Sequence, residues 1–464
     1  MEHAPHNMKH GQAALTAVIF FLVAATAIGI GFTSFAFEET ATARRQLRAK
    51  QSYFLAEAGA EDVAYRLQSQ KNINSPETLT LNGETVTTII STPSLGVKEI
   101  LASGNALLNI RKVRLNLRIA PGASFNYGVQ VGDGGLSMAN SSKIIGSIYS
   151  NGDILTTSSA EITGDAFAAG NSIITNVNIG GNAQAYSLLN NIIGGTASST
   201  TNIDDTTVGI HAYADTITGN KTISRDAYYN TSIAASVTVV GTKYPGTPAP
   251  VALPPLPMPI NDSKIDEWKT TAEAGGIISS PCPYEPADGS SIGPIKIACD
   301  LIIGGTKIIT LTGPVWVEGN FEMAQSAHLN LDPSYGEYSE VVIADKPTNR
   351  LTSSKVTMNN SVQINGSGTA GSYVLIISQN NSAEGGGTEK AIDTGQSGAA
   401  PIYYAPHGLI TINNNTPVNL KEITGYRLEL SQNSEVTYES GLANIYFSSG
   451  PGGGWEIVSW REVE

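Results

Sequence analysis

The chain has 464 residues, of which only 14% are charged and 48 are glycine, and it carries a formal net charge of −13. That length exceeds one minimal core and leaves room for two or three domains. The acidic balance argues against nucleic acid as a partner, because phosphate binding needs clustered Lys and Arg that the body of the chain lacks. Runs of Asn, Ser, Thr and Gly broken by single Ile or Val favour strands and turns over helices.

From 12–37 no side chain is charged, and most are Ala, Val, Ile, Leu or Phe. As a helix, 13–37 rises roughly 37 Å, enough to cross a hydrocarbon core of about 30 Å. Lys9 and His10 precede the run and Glu38-Glu39 follow it, which places 1–11 in the cytoplasm and the bulk of the chain outside. A cleaved secretory signal is the rival reading. Ser34-Phe35-Ala36 offers it a small-x-small site, but the run exceeds the roughly 7–15 apolar residues of a signal. Residues 41–67 then hold one Gly and no Pro, with Tyr53, Ala56, Ala60, Val63 and Leu67 at spacings of three and four. The helix is expected to continue there with one apolar stripe. Gly59 within it costs about 1 kcal/mol relative to Ala unless close packing requires the missing side chain.

Lys9-His10-Gly11-Gln12-Ala13-Ala14-Leu15, the apolar run, and Gln51-Ser52-Tyr53-Phe54-Leu55-Ala56-Glu57-Ala58-Gly59 resemble the start of a PilX-like type IV minor pilin. The resemblance spans 1–70 and implies a leader, 1–11, that a prepilin peptidase cuts after Gly11 to leave Gln12 as the mature N-terminus. It implies that the helix 12–70 serves first as an inner-membrane anchor, through 13–37, and then as filament core. Other pilin subunits and the pilus assembly machinery are the implied partners. Thr16 stands at the fifth mature position, where major pilins usually carry Glu, as suits a minor or accessory subunit.

Within 71–125, residues 78–81, 85–92, 98–102 and 107–119 read as strands of a small antiparallel sheet, with turns at Asn82-Gly83, 93–96 and Gly104-Asn105. Val113, Leu115 and Leu117 alternate with Arg111, Lys112, Arg114 and Arg118, the pattern of a strand with one solvated face. From 126–244 a repeat appears: Ile145-Gly146, Ile162-Thr163-Gly164 and Ile179-Gly180-Gly181 recur at 17 to 18 residues. Short strands at that period suit a parallel β-helix whose coils stack on one another. The pattern blurs near Ile210, Ile217 and 237–241, where irregular coils are expected.

A Pro-rich stretch, 245–259, is expected to run extended and connect two parts of the head. A short helix follows, with Asn261 or Asp262 as N-cap and Gly275-Gly276 as its end, closing a connector of 245–276. The remainder, 277–464, returns to the solenoid texture and finishes with a strand at 455–460 whose tryptophans are expected at the end of the stack. Cys282 and Cys299 sit in no CxxC pair. In an exported domain a disulfide closing that loop adds about 3 kcal/mol; two separate thiols are the alternative.

No catalytic or cofactor constellation is expected. Asp204-Asp205 is an isolated pair, Asp332, Asp345 and Asp393 read as solvated turn residues, and His211, His328 and His407 lie far apart without zinc spacing. Asp133, Asp153 and Asp165 are loop carboxylates of the type that binds Ca²⁺, but outside any EF-hand pattern. The expectation is a non-enzymatic, mainly β minor pilin that displays a large solenoid head at the cell surface. A surface adhesin on a pilin-like anchor and an exported carbohydrate-active β-helix enzyme are the alternatives.

Overall fold

A computed structural model describes residues 9–68, 73–94, 97–119, 127–359, 361–394, 401–413, 417–438 and 455–463. The chain divides into two compact units. One comprises 1–118 and 455–464, the other 119–454.

The first unit is built on one unbroken helix, α1 (Lys9–Gln68). Against its second half lies an antiparallel sheet of β1 (Glu77–Leu81), β2 (Glu84–Ser94), β3 (Val97–Ala106) and β4 (Asn109–Ile119). Leu55, Ala56, Ala60, Val63 and Ala64 of the helix pack on Val86, Ile100, Ala102, Val113, Leu115 and Leu117 of the sheet. Both periodicities read from the sequence meet here, a three-to-four stripe on α1 and strict alternation on β4. Two glycines let the surfaces close. A Cβ on Gly59 would lie 2.6 Å from Val86 Cγ2, and one on Gly104 would lie 2.2 Å from the Ser52 carbonyl oxygen. Gly104 is therefore no turn residue, contrary to the expectation from Gly104-Asn105. β3 runs on to Ala106, and Leu107 and Leu108 make the turn at positive φ, 49° and 69°, with the Asn105 side chain accepting from the Leu108 N–H at 3.1 Å.

The C-terminal strand, Trp455–Val463, is the fifth member of this sheet and lies beside β4. Arg111 pairs with Glu462 at 3.1 Å, the Asn116 amide donates to Ser459 Oγ at 3.0 Å, and Trp455 and Trp460 pack against the helix–sheet core. The expected position of these tryptophans at the end of the solenoid is thus corrected. Alternation identified a strand but carried no information about which edge it would join. The second unit is an insertion between β4 and this strand.

In the second unit all named strand pairs are parallel, as a β-solenoid requires. Its upper coils each contribute three short strand segments. Along one face, Val129, Ile148, Ala166 and Ala183 stack at steps of 19, 18 and 17 residues. The steps then shorten to 14, 15 and 15 through Ala197, Ala212 and Ala227. Where the sequence pattern blurs, the coils are shorter, and shifts of register interrupt the ladders between Ser198 and Asn202 and between Ala214 and Thr216. A second face stacks Leu136, Ile154, Ile174, Leu188, Ile203 and Ile217. A third stacks Ile144, Ile162, Ile179, Ile193, Val208 and Ile223. These side chains are buried, and each is worth about 1.5–3 kcal/mol over leaving it in water.

The corners are joined by Asx side chains reaching to the next coil. Asp153 accepts from the Ile173 N–H at 2.9 Å, Asp165 from the Asn182 N–H at 2.7 Å, and Asn182 from the Thr196 N–H at 2.9 Å. The lower coils do the same through Asp300, which accepts from the Asn320 N–H at 2.7 Å. Turn carboxylates and amides thus satisfy backbone donors that the strands leave over.

The lower block begins at Ile277–Ile278 and climbs through Ile295–Ile297, Val315–Val317, Glu340–Ala344, Val374–Ser378, Ile402–Ile412 and Glu422–Leu430. It does not stand apart from the upper one: Glu422–Leu430 pairs with β5 (Val129–Met138). The block that comes second in sequence lies beneath the block that comes first, and the two form one continuous stack. The Pro-rich segment is accordingly a strap that returns along the upper coils. The Gln184 side chain donates to the Val251 carbonyl at 3.1 Å, the Gly170 N–H to Leu253 O at 2.8 Å, Asn151 Nδ2 to Leu256 O at 2.8 Å, and the Gln130 side chain to Pro257 O at 2.8 Å. The strap delivers the chain to α2 (Asp262–Ala274), capped by the Asn261 side chain accepting from the Lys264 N–H. Ile265 and Trp268 of α2, with Ile260, cover the outward side chains Val341, Ile343, Leu375, Ile377, Ile402 and Tyr404.

Candidate functional site

The N-terminal half of α1 is exposed along its apolar side chains: Phe20 and Phe21 are 75% and 79% exposed, and Leu15, Ile30 and Phe35 are similarly open. It is long and apolar enough to cross a membrane, and none of the apolar window is buried within the chain. Three threonine hydroxyls along α1 are satisfied inside the helix. Thr26 donates to Leu22 O at 2.8 Å, Thr40 donates to Ala36 O at 2.7 Å, and Thr33 donates to Gly29 O. That arrangement suits lipid, where water offers no partner. Gly11 and Gln12 lie within the first turns of α1.

Cys282 and Cys299 are joined by a disulfide with Cα atoms 6.0 Å apart, in the lowest coils of the stack.

The remaining singled-out residues serve the fold. Asp204 accepts from the Thr218 hydroxyl at 2.5 Å, and Asp205 from the Asn220 N–H at 3.2 Å. Asp332 caps a short 3₁₀ turn, and the Ser334 hydroxyl and N–H hold its carboxyl below the usual range. Asp393 lies within the strand Lys390–Thr394 and not in a solvated turn; it accepts from Asn413 Nδ2 at 3.0 Å and pairs with Lys390 at 3.0 Å. His211 faces Asp226 at 3.5 Å, and His328 lies in the strand His328–Leu331. Asp345 departs from expectation: it is fully buried, not a solvated turn residue. Arg350 grips it with Nε and Nη2, both at 2.8 Å, and Lys269 of α2 reaches it at 2.7 Å. A buried carboxylate is tolerated only with such partners, and this one ties α2 to the stack.

One cluster escaped the sequence reading. His407 Nδ1 lies 2.7 Å from Glu384 Oε2, and Nε2 lies 3.1 Å from both Asp262 oxygens. The three residues come from the strand Ile402–Ile412, the Gly-rich loop before it and the first turn of α2. They border a cavity of about 400 Å³ that Asp133, Met258 and Tyr426 also line. Burial, and then the charges of Asp133 and Glu384, push the Tyr426 hydroxyl up from its ordinary value. Both imidazole nitrogens are occupied by carboxylates, so the ring acts as a tie between three segments. It presents no free nitrogen to a metal or to a substrate proton. Among the described residues no group of three His, Cys, Asp or Glu side chains is placed to hold a metal ion. With His407 and Asp262 145 positions apart in sequence, no motif could announce the cluster.

No family description matches this chain, and no curated protein does. Among solved structures, the competence-associated pilin ComZ from Thermus thermophilus is similar over 90% of this chain and 97% of its own length, at 11% identity and a TM-score of 0.33.

Proposed function

We propose that this chain is a pilin-like structural subunit of a type IV filament system, anchored in the inner membrane through 13–37 and carrying its solenoid outside the cytoplasm. One observation supports this above others: α1 joins, without a break, an apolar half that no described residue covers to a half that packs on an antiparallel sheet through Gly59 and Gly104. A helix so divided suits lipid first and neighbouring helices later, since transfer between them exchanges partners without changing polarity. In this reading a prepilin peptidase cuts after Gly11, Gln12 is the mature N-terminus, and Thr16 marks a minor, PilX-like subunit. The head is non-catalytic and is displayed at the cell surface, where adhesion is compatible with assembly.

Mass spectrometry of the native protein tests the reading. A mature chain starting at Gln12, recovered with sheared surface filaments, supports it. A chain starting at Phe37 and free in the medium replaces it with a secreted protein.

A further inference from the structure

The two ends of the solenoid are finished differently. At the lower end Pro281, Pro283 and Pro286 withhold backbone donors from the outermost coil, and the disulfide between Cys282 and Cys299 ties that coil to the next. Among the described residues, Thr238–Val239 at the upper end pairs only with Thr222–Ile223 beneath it, and Lys243–Pro245 only with the strand Ala227–Ile233. Thr238 and Val240 donate downward, to Lys221 O at 3.1 Å and Ile223 O at 3.0 Å, and Thr242 O accepts from the Ala227 N–H below at 3.0 Å. Alternation along the strands therefore turns the N–H and C=O of Val239 and of Lys243 to the open side. Pro245 withholds the next donor. Side-chain columns end here too. Tyr213, Tyr228 and Tyr244 form a ring stack with centroids 4.5 and 4.7 Å apart. Tyr244 is 41% exposed, and among the described residues no ring stacks on its far face. Two interior columns stop at Ile233 and Val239, which are half-buried.

Charge is distributed just as unevenly. Lys221, Arg225 and Lys243 are exposed at this end, and among the described residues none of them is in an ion pair. The carboxylates nearby are committed within the chain. Asp226 accepts from the Thr242 N–H at 2.8 Å and faces His211, and Asp215 accepts from Asn230 Nδ2 at 2.9 Å and from the Thr231 hydroxyl at 2.8 Å. In a chain of net charge −13, residues 219–247 hold three cations and one carboxylate.

We infer that the upper end of the stack is an interaction surface for an extended, acidic segment of a different protein, which adds to residues 239–243 as a further strand and sets an aromatic side chain on Tyr244. The open backbone groups supply the ladder, Tyr244 with Ile233 and Val239 selects apolar side chains, and the three cations select carboxylates. A second copy of this chain is the poorer occupant. Two upper ends brought together would oppose their cations, and an upper end set on a lower one would meet the prolines. Because the surface lies within the second unit, it stands whether or not α1 serves a filament.

The test uses the full chain in detergent and a labelled peptide in which Glu and Val alternate around a central Tyr. Saturable binding is expected, with slowed hydrogen exchange at Val239 and Lys243 and unchanged exchange at Ile277 and Ile278. A peptide with Lys in place of Glu should bind about tenfold more weakly, the scale of a few exposed ion pairs. Arg225→Glu with Lys243→Glu should reverse that preference. Tyr244→Ala should weaken binding about fivefold, the scale of one aromatic pair. A peptide N-methylated at alternate residues cannot extend a ladder and should not bind. The peptide variants leave the protein untouched, so the outcome does not depend on any mutant folding. No saturable binding, equal binding of the Glu and Lys peptides, binding that survives N-methylation, or protection confined to the lower end would each overturn the proposal. A dimer of the chain alone that protects the same amides would overturn it too, by assigning the surface to a second copy.

Discussion

Ile423 pairs in parallel with Val129, so the strand that ends the lower block of coils is the direct neighbour of the strand that begins the upper one. At this seam Leu428 stacks on Leu136 and Val436 on Ile144, continuing two interior columns without a gap. The solenoid is one stack assembled out of sequence order.

Leu136 lies in the middle of that stack, 1% exposed, between Leu428 and Ile154. Leu136→Ala should cost about 2–5 kcal/mol. In hydrogen–deuterium exchange, loss of protection should reach Glu422–Leu430 as well as Ile154–Ile162, because coils are coupled to both neighbours. Protection lost only on the side of Ile154 would mean that the seam carries little energy.

In the first unit, Gly104→Ala drives a methyl group into the backbone of Ser52 and Ala56. Helix and strand must separate to admit it, at about 1–3 kcal/mol. Thermal unfolding of the full chain should show the loss. Gly83→Ala at the β1–β2 turn, where a Cβ meets nothing within 4 Å but φ is +83°, should cost less, about 1 kcal/mol from backbone strain alone.

Glu422 is fully buried. Burial pushes its carboxyl well above the usual range, opposed only by a hydrogen bond donated by the Thr424 hydroxyl. A group whose folded-state value is raised adds stability below its unfolded value, and that contribution is lost as pH rises through the folded one. Wild type and Glu422→Gln should therefore be about equally stable near pH 4. With rising pH the variant should gain on the wild type by about 1–3 kcal/mol. Melting curves from pH 4 to 8 check this, and parallel curves would contradict it.

Asp345→Asn removes the charge that Lys269 and Arg350 share. Lys269 is only 7% exposed, and losing one partner of a buried pair costs about 3–5 kcal/mol. Adding Lys269→Met to Asp345→Asn should recover part of that loss, which urea unfolding of the two variants would measure. Protease sensitivity should rise first around α2.

Much of this fold is legible in the sequence because the governing interactions are local or periodic. An uncharged run followed by a three-to-four stripe specifies α1, alternation specifies β4, and recurring apolar-x-Gly corners specify coils. The tertiary structure alone decided which edges meet: Ile423 on Val129, the strand of Trp455 and Trp460 beside β4, and Asp262, Glu384 and His407 around one ring. Backbone ladders are chemically alike, so a strand's sequence sets which face it buries but leaves its neighbour to be settled by the space the folded chain offers. Gly104 shows the same division, for its sequence context signals a turn while its position against Ser52 requires the absent side chain.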